Sequence, residues 1–379
     1  MRWGVWRRNG TRSGTALVAV LLLVACGGGS GSGTGDPCQS VGDAVNWAAL
    51  AERNCPQLSD YRLLDDAGMP RYPGRTYAPP VALFTDYAIK QRAVFVPPGN
   101  AVAFRAEGPL SMPDGSVLVK TFSLPADTTG ALPHRRLETR LLILRNGRWV
   151  GLPYAWDENQ QMAQLRLGGV SLPEQILRAD EPVDFTYQVP DANQCAVCHQ
   201  RRETSGASAM LPISFQARYL LYPQRDSGES LVREWSRDGF LQDVPEDLSG
   251  VLRVPSPENE DISLGEHARA YLDINCRHCH SDGGGGGQSG LRLGYEEDPD
   301  SRRYGVCKRH QGYDGGGTGS GFDIVPGDAD GSAVVFRLGH TAPRDRMPPT
   351  GRSLSHEEAV ALVADWINSL PLRDCAAEG

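Results

Sequence analysis

The chain has no dense basic cluster and no apolar run long enough to cross a bilayer, and each absence excludes a class of protein. Its net charge is -8 over 379 residues, which is unsuited to neutralising a phosphate backbone. Its apolar run at residues 16–25 is too short for a transmembrane helix. We therefore expect neither a nucleic-acid partner nor a membrane-spanning segment. A hydrophobic content of 40% still predicts a folded protein of two or three domains.

The N-terminus has the pattern of a bacterial export signal. Four arginines precede the apolar run, and Leu23–Cys26 resembles a lipobox. We predict a lipoprotein signal peptide over 1–25, lipidation of Cys26 and a Gly/Ser tether over 26–36. Gly27 in place of aspartate favours the outer membrane, with the protein facing the periplasm and anchored to the lipid bilayer. The alternative is an ordinary secretory signal with a chance cysteine at its end.

Two CxxCH motifs dominate the sequence, at Cys195–His199 and at Cys276–His280. Two thiols three positions apart can bond the two vinyl groups of a haem, and the adjacent histidine can ligate its iron. We predict two covalent haem c groups, attached through Cys195, Cys198, Cys276 and Cys279 and ligated by His199 and His280. Zinc binding and redox-active thiol pairs are the alternatives. Zinc needs a second ligand pair, and a redox pair does not require a histidine.

Each iron needs a ligand on its other face. For the second iron we predict Met347, because the prolines of Arg346–Pro349 stiffen its loop. A core methionine or displacement by His340 are the alternatives. For the first iron we name Met210, with Met162, a lysine or glutamate from the region before the motif, or an open site as alternatives.

Four further cysteines remain for disulfides, which an exported compartment permits. Cys38 with Cys55 is the natural local pair, and Cys307 with Cys375 would tie the C-terminal tail to its domain. The sequence by itself allows other pairings of these four.

Periodicity and turn signals divide the rest of the chain. Short branched or aromatic segments over 81–190 predict an antiparallel β sandwich or barrel, with a hairpin turn at Asn146-Gly147 and no catalytic triad or phosphate loop. Five helices are predicted, at Ala44–Asn54, Ser214–Tyr222, Ser227–Gly239, Gly265–Asn275 and Ser355–Leu370. The predicted organisation is an irregular cap at 37–80, the β domain at 81–190, a first haem segment at 191–250 and an all-α cytochrome c domain at 251–379.

The chain resembles a bacterial family of exported dihaem c-type cytochromes of unknown specific function. The matching stretches are Leu83–Ala88, Gly115–Phe122, Leu152–Trp156, Asn193–His199, Asp323–Asp328 and Arg346–Pro349. The C-terminal third is also similar to cytochrome c domains of planctomycete type, through Ser289–Leu293 and the terminal helix. The resemblance implies two covalent haems at the motifs and does not imply a substrate.

We therefore expect an electron carrier of the cell envelope, with a redox partner that the sequence does not identify. Two enzymatic alternatives remain, each with an open first iron and the second haem as relay. One is peroxidase-like. The other follows a weaker resemblance to lysine-crosslinked c-haem enzymes that oxidise hydroxylamine, which implies that Lys120 approaches the first haem and that Glu138 acts as acid or base. A binding or sensor module is a further alternative.

Overall fold

A six-stranded antiparallel sheet is the largest element of the computed structural model. The structure describes residues 35–130, 134–202, 206–223, 228–259, 261–314, 317 and 320–377. The strand order is β1-β2-β4-β5-β6-β7. The strands are β1 (Arg75–Thr76), β2 (Ile89–Phe95), β4 (Val117–Pro125), β5 (His134–Arg145), β6 (Arg148–Trp156) and β7 (Ala163–Leu165), with β3 (Val102–Ala103) outside this sheet. The predicted antiparallel β region is therefore present.

The hairpin that joins β5 and β6 forms where the sequence predicts it. Arg145 pairs with Arg148, and Asn146 and Gly147 between them have φ values of 50° and 70°. Both values lie in the left-handed region, which a two-residue turn of this type requires and which asparagine and glycine tolerate best. The turn thereby sets the register that brings Gly151 of β6 opposite Leu142 of β5.

A second hairpin, β8 (Val170–Arg178) and β9 (Glu181–Val189), leads directly into the first CxxCH motif. Its buried residues pack on the large sheet through Phe122 and Leu137. The remaining short strands are β10 (Gln200–Arg202), β11 (Ser208–Met210) and β12 (Leu241–Gln242), of which β12 pairs with β3. Both predicted disulfides, Cys38–Cys55 and Cys307–Cys375, are present.

The predicted all-α cytochrome c domain is wrong. Strands hold 26% of the chain and helices 20%, so the fold is rich in sheet. The helices are α1 (Trp47–Glu52), α2 (Gln194–His199), α3 (Ala217–Leu220), α4 (Leu231–Arg237), α5 (Leu264–Cys276), α6 (Ala333–Gly339) and α7 (Glu357–Ser369). The C-terminal core depends heavily on irregular chain, since Leu291, Tyr304 and Ile324 are buried in it outside any helix. The glycine-rich composition between α5 and α6 cannot sustain helix, because glycine is costly in a helix interior.

The two faces of the sheet have different neighbours, because side chains alternate along each strand. Val119 and Leu141 face a core formed with the N-terminal cap, which includes Leu50 and Tyr61. Leu118 and Leu142 lie on the opposite face and pack toward α3 and α4. This opposite face also carries the side chains that line the first candidate site. Within the described residues, no helix is both long and apolar enough to cross a membrane.

The loop before β2 is bonded to the segment before α7. Asp86, only 1% exposed, accepts hydrogen bonds from the backbone N–H groups of Ser353 and Leu354, each at 2.7 Å. Phe84 stacks on the ring of His356 with centroids 4.3 Å apart. These contacts hold the chain that follows Met347 against the sheet.

We expect His356→Phe to reduce the acid sensitivity of folding. Burial lowers the pKa of His356 from 6.5 to about 4. Between these two pH values the imidazole is protonated in the unfolded chain and neutral in the native chain. The free energy of unfolding therefore falls as the pH drops from 6.5 toward 4. The slope is at most about 1.4 kcal/mol per pH unit, and smaller here because the side chain is 26% exposed.

Urea unfolding near pH 7 and near about pH 4.5 measures this effect as a difference between wild type and variant. The exposed His134 supplies the control variant His134→Phe, which should behave as wild type. Equal losses of stability in wild type and His356→Phe would contradict the assignment.

Candidate haem sites

The first motif forms the short helix α2. Two hydrogen bonds cap its N-terminus. The Asp191 carboxylate accepts the backbone N–H of Gln194 at 2.7 Å, and the Gln194 side-chain oxygen accepts the backbone N–H of Asp191 at 3.0 Å. Cys195 and Cys198 are three positions apart on this helix and neither is in a disulfide. A Cβ atom on Gly151 would lie 3.2 Å from the Sγ of Cys195. Glycine at this point lets the motif approach the sheet closely, because a larger residue would crowd the Cys195 side chain.

His199 is oriented as a metal ligand would be. Its Nδ1 lies 2.8 Å from the carbonyl oxygen of Leu211 and so must donate the proton. This leaves the lone pair on Nε2, the arrangement in which a second bond fixes the tautomer of a ligating histidine. Burial lowers the pKa of His199 to about 4, which keeps the imidazole neutral at pH 7.

The second motif follows α5, which begins with a capping box between Ser263 and Glu266 and ends at Cys276. The chain then turns tightly, with the N–H of His280 donating to the Cys276 carbonyl at 2.8 Å. Burial raises the pKa of the Cys276 thiol to about 12. Cys276 and Cys279 are both outside the disulfides. Each motif thus presents two unpaired thiols on one turn, as thioether attachment requires.

The group beside Nδ1 of His280 is the hydroxyl of Ser289. The Ser289 hydroxyl donates to the Gly286 carbonyl at 2.7 Å and lies 3.3 Å from Nδ1 of His280. Because the hydroxyl proton is engaged, Nδ1 donates and Nε2 keeps its lone pair. A Cβ on Gly286 would lie 3.2 Å from the imidazole ring, so a larger residue would crowd the histidine. Burial lowers the pKa of His280 to about 4.

Each motif lines its own cavity. Cys195, Cys198 and His199 line the first, whose floor on the large sheet includes Leu118, Lys120, Arg140, Leu142 and Gly151. Cys276, Cys279 and His280 line the second, together with Leu291, Leu293, Leu338 and Met347. The thiols, the neutral histidines and the largely apolar walls fit a haem at each position. His278 and Pro348 line both cavities, which shows that the two spaces adjoin.

The two motifs are in direct contact, which no sequence signal reveals. The Sγ atoms of Cys198 and Cys279 and a ring nitrogen of His278 lie within 4.8 Å of one another. A hydrogen bond from the Cys279 thiol lowers the pKa of Cys198 well below its usual range and raises that of Cys279. Within the described part of the chain, Nδ1 of His278 is buried without a partner. Three donors fall short of the four that a structural zinc site uses.

Two hydrogen bonds to backbone carbonyls link the segments that follow the motifs. The N–H of Arg202 donates to the carbonyl of Gly283 at 2.8 Å, and the Arg201 guanidinium donates to the carbonyl of Asp282 at 2.7 Å. The segments that follow the two motifs are therefore bonded to each other.

The predicted methionine ligands lie in different surroundings. Met347 lines the second cavity with His280, and its backbone N–H donates to Arg337 at 2.9 Å. Met210 lies in β11, which pairs with the residues directly after His199, and its sulfur is close to Gly151 and outside the lining of the first cavity. Met162 is 48% exposed. The structure thus brings Met347 to its motif, and it places one lysine, Lys120, in the lining of the cavity that contains His199.

Arg352 is a functional candidate that sequence reasoning missed. It is 3% exposed and donates to the carbonyls of Met347, Leu354, Arg337 and His340 at 2.8 to 3.0 Å. One guanidinium therefore fixes the loop that carries Met347 to α6. A lone arginine between glycine and serine gives no sequence signal of this role.

The remaining predicted groups are also located. Lys120 lines the first cavity beside His199, whereas Glu138 is fully buried and engaged by Arg140 and Tyr187. Cys26, the predicted lipidation site, lies outside the described residues. Comparisons with protein-family models, curated proteins and solved structures find no match to this chain. The resemblance to dihaem cytochromes therefore depends on the sequence motifs themselves.

Proposed function

We propose that this chain is an electron-transfer protein that carries two covalently attached c-type haems within a sheet-rich fold. The contact between the two motifs, through Cys198, His278 and Cys279, is the observation that carries the proposal. An attached haem supplies an iron that takes up and returns one electron. Because electron transfer slows steeply with distance, adjoining attachment points favour passage from one site to the other.

The residues around the motifs would hold the cofactors and exclude water. Leu211 and Ser289 orient His199 and His280 through Nδ1, and the neutral state of both rings suits them to ligation. Apolar side chains from the sheet and from the C-terminal core line the cavities. A dry, low-dielectric site of this kind is one means by which a protein tunes a haem potential.

The proposed location is the bacterial cell envelope, facing the periplasm, with a lipid on Cys26 as anchor to the outer membrane. Haem c attachment takes place after export, and the two disulfides are also typical of exported proteins. The net charge of -8 favours a redox partner with a basic docking surface.

The test is the intact mass of protein matured in a host that attaches haem c. We expect two additions to the polypeptide mass, together about 1.2 kDa. Visible spectra of oxidised and reduced protein should then show a c-type haem. A mass equal to that of the processed polypeptide would refute the proposal.

We expect Met347→Ala to abolish the sulfur-to-iron absorption band at roughly 695 nm that marks a Met/His haem. The reason is that Met347 supplies a thioether in the cavity that contains His280. The oxidised spectrum measures the effect. Met69→Ala is the control, since Met69 is 47% exposed and should leave the band unchanged. Persistence of the band in Met347→Ala would show that another residue ligates this iron.

A second candidate function is catalysis at an open first iron. It is favoured by the position of Lys120 in the cavity of His199. Electron transfer remains the better proposal because Glu138, the candidate acid or base, is held by Arg140 and Tyr187 and does not line the cavity. Adding carbon monoxide to the reduced protein distinguishes them. Binding that is lost in His199→Ala would support catalysis, and no binding would exclude it.

A further inference from the structure

The sheet face beneath the first cavity carries a row of three cations. Arg92 of β2 pairs with Lys120 of β4, and Lys120 pairs with Arg140 of β5. Residues paired across antiparallel strands point to the same face, so the three side chains lie side by side. Like charges directly opposite each other destabilise a sheet. The positive charge of this row therefore needs a negative group from another part of the structure to balance it.

The next row along the strands adds another cation. It consists of Lys90, Phe122 and Glu138 on β2, β4 and β5. The Phe122 ring lies 4.8 Å from Nζ of Lys120 and 4.3 Å from the Arg140 guanidinium carbon, so its negative face attracts both. The partial negative charge of the Phe122 ring face is too small to neutralise the full positive charges of Lys120 and Arg140.

The carboxylate of Glu138, in the second row, is already hydrogen-bonded to other groups. Glu138 accepts two hydrogen bonds from Arg140, at 2.5 and 2.7 Å, and one from the Tyr187 hydroxyl at 2.7 Å. Asp86, a neighbour of Lys90, accepts the backbone N–H groups of Ser353 and Leu354. Arg140 is thus paired, while the charges of Lys120 and Arg92 are left without a carboxylate partner among the described residues.

Arg92 is buried and Lys120 is half-buried. Arg92 is 7% exposed, and its Nε and Nη2 have no hydrogen-bond partner within the described residues. Lys120 likewise has no hydrogen bond or ion pair there, and its side chain lines the cavity that contains His199. Burial and the neighbouring Arg92 and Arg140 lower the pKa of Lys120 well below its usual value. Burying a cation in this way is costly unless an anion accompanies it.

We propose that Lys120 binds a carboxylate or similarly small oxyanion in the first cavity, with Arg92 and Arg140 strengthening the positive field around it. Two sources share this chemistry. One is a propionate of the haem attached at Cys195 and Cys198, which rests on the proposed function. The other is a free anion that enters the cavity.

The experiment uses full-length protein matured in the haem-attaching host, with formate as the probe. The variants are Lys120→Met, Lys120→Gln as a second neutral replacement, and Lys120→Arg, which keeps the charge. Lys90→Met is the matched control, because Lys90 is a cation on the same face that does not line the cavity. Calorimetry measures formate affinity, and vibrational spectroscopy measures the propionate carboxylate bands.

For a free anion, formate should bind wild type saturably. The neutral variants should weaken it by about tenfold or more, while Lys120→Arg and Lys90→Met stay within about threefold. For a propionate, formate should not bind wild type. The carboxylate bands should then shift in Lys120→Met and Lys120→Gln and be restored in Lys120→Arg. In protein that holds no anion at this site, neither neutral variant should lower the urea midpoint, since each removes a cation that has no carboxylate partner among the described residues.

Two outcomes would overturn the proposal. One is that neither the formate affinity nor the propionate carboxylate bands change in Lys120→Met and Lys120→Gln. The other is a change of the first iron from low spin to high spin in Lys120→Met, which would make Lys120 an iron-bound amine. The intact mass shows separately whether haem is attached, so a failure of the anion site can be told apart from a failure of the dihaem assignment. Protein without haem that still binds formate through Lys120 retains the anion site and rejects the dihaem assignment.

Discussion

Replacing Cys276 and Cys279 together by alanine is expected to leave one haem on the chain, and replacing Cys195 and Cys198 together is expected to leave the other. Each double variant should lose about 0.6 kDa of attached mass, and the variant without all four thiols should carry none. The reason is that each pair belongs to a separate motif with its own histidine and its own cavity. Intact-mass spectrometry of the purified variants measures the result.

The matched control is Cys38→Ala with Cys55→Ala, which removes as many thiols but only opens a disulfide. It should retain both haems and lose stability. If it lost a haem as readily as the motif variants, attachment would not be specific to the CxxCH thiols. Equal masses for all variants would contradict the assignment of both sites.

Replacing Arg352 by methionine is expected to lower the free energy of unfolding by about 3 kcal/mol and to remove the sulfur-to-iron band of the second haem. The guanidinium donates to four backbone carbonyls in a position that is only 3% exposed. Removing it leaves several buried acceptors without a donor. Because one acceptor is the carbonyl of Met347, the thioether should lose its fixed position at the same time. Urea unfolding and the oxidised spectrum measure the two effects.

Arg344→Met is the control for this prediction, since that side chain is 73% exposed in the same segment of chain. It should change stability by no more than about 0.5 kcal/mol and keep the band. Arg352→Lys should recover part of the stability but not the full set of hydrogen bonds, because an ammonium lacks the planar fork. An unaltered band in Arg352→Met would exclude Arg352 as a positioning residue for Met347.

Much of the local structure was predictable because local rules govern it. Asn146-Gly147 forms the expected turn, and the terminal helix, predicted over Ser355–Leu370, runs from Glu357 to Ser369. The two disulfides pair as expected. Helix lengths were less reliable. The helices predicted over 214–222 and 227–239 are the much shorter α3 and α4, since burial against the sheet overrides weak propensity.

The prediction of an all-α C-terminal domain failed for a specific reason. Two 13-residue helices, α5 and α7, form where the sequence predicts helices, and in the structure they pack together. Between them the chain is largely irregular, and its buried residues, such as Tyr304 and Ile324, have no helical periodicity. Irregular segments are stabilised by contacts that are distant in sequence, which a pattern of spacing does not report.

By itself, the sequence determined the chemistry that each motif can perform, since two thiols and a histidine on one turn require only local geometry. It also determined the strand segments and the main turn between them. Tertiary structure decided which groups surround those motifs. Three of these arrangements join residues from different elements. They are the contact of Cys198 with Cys279, the row of Arg92, Lys120 and Arg140, and the hydrogen bonds from Arg352 to the loop that carries Met347. Such neighbours are selected by the packing of whole elements, and so no local pattern encodes them.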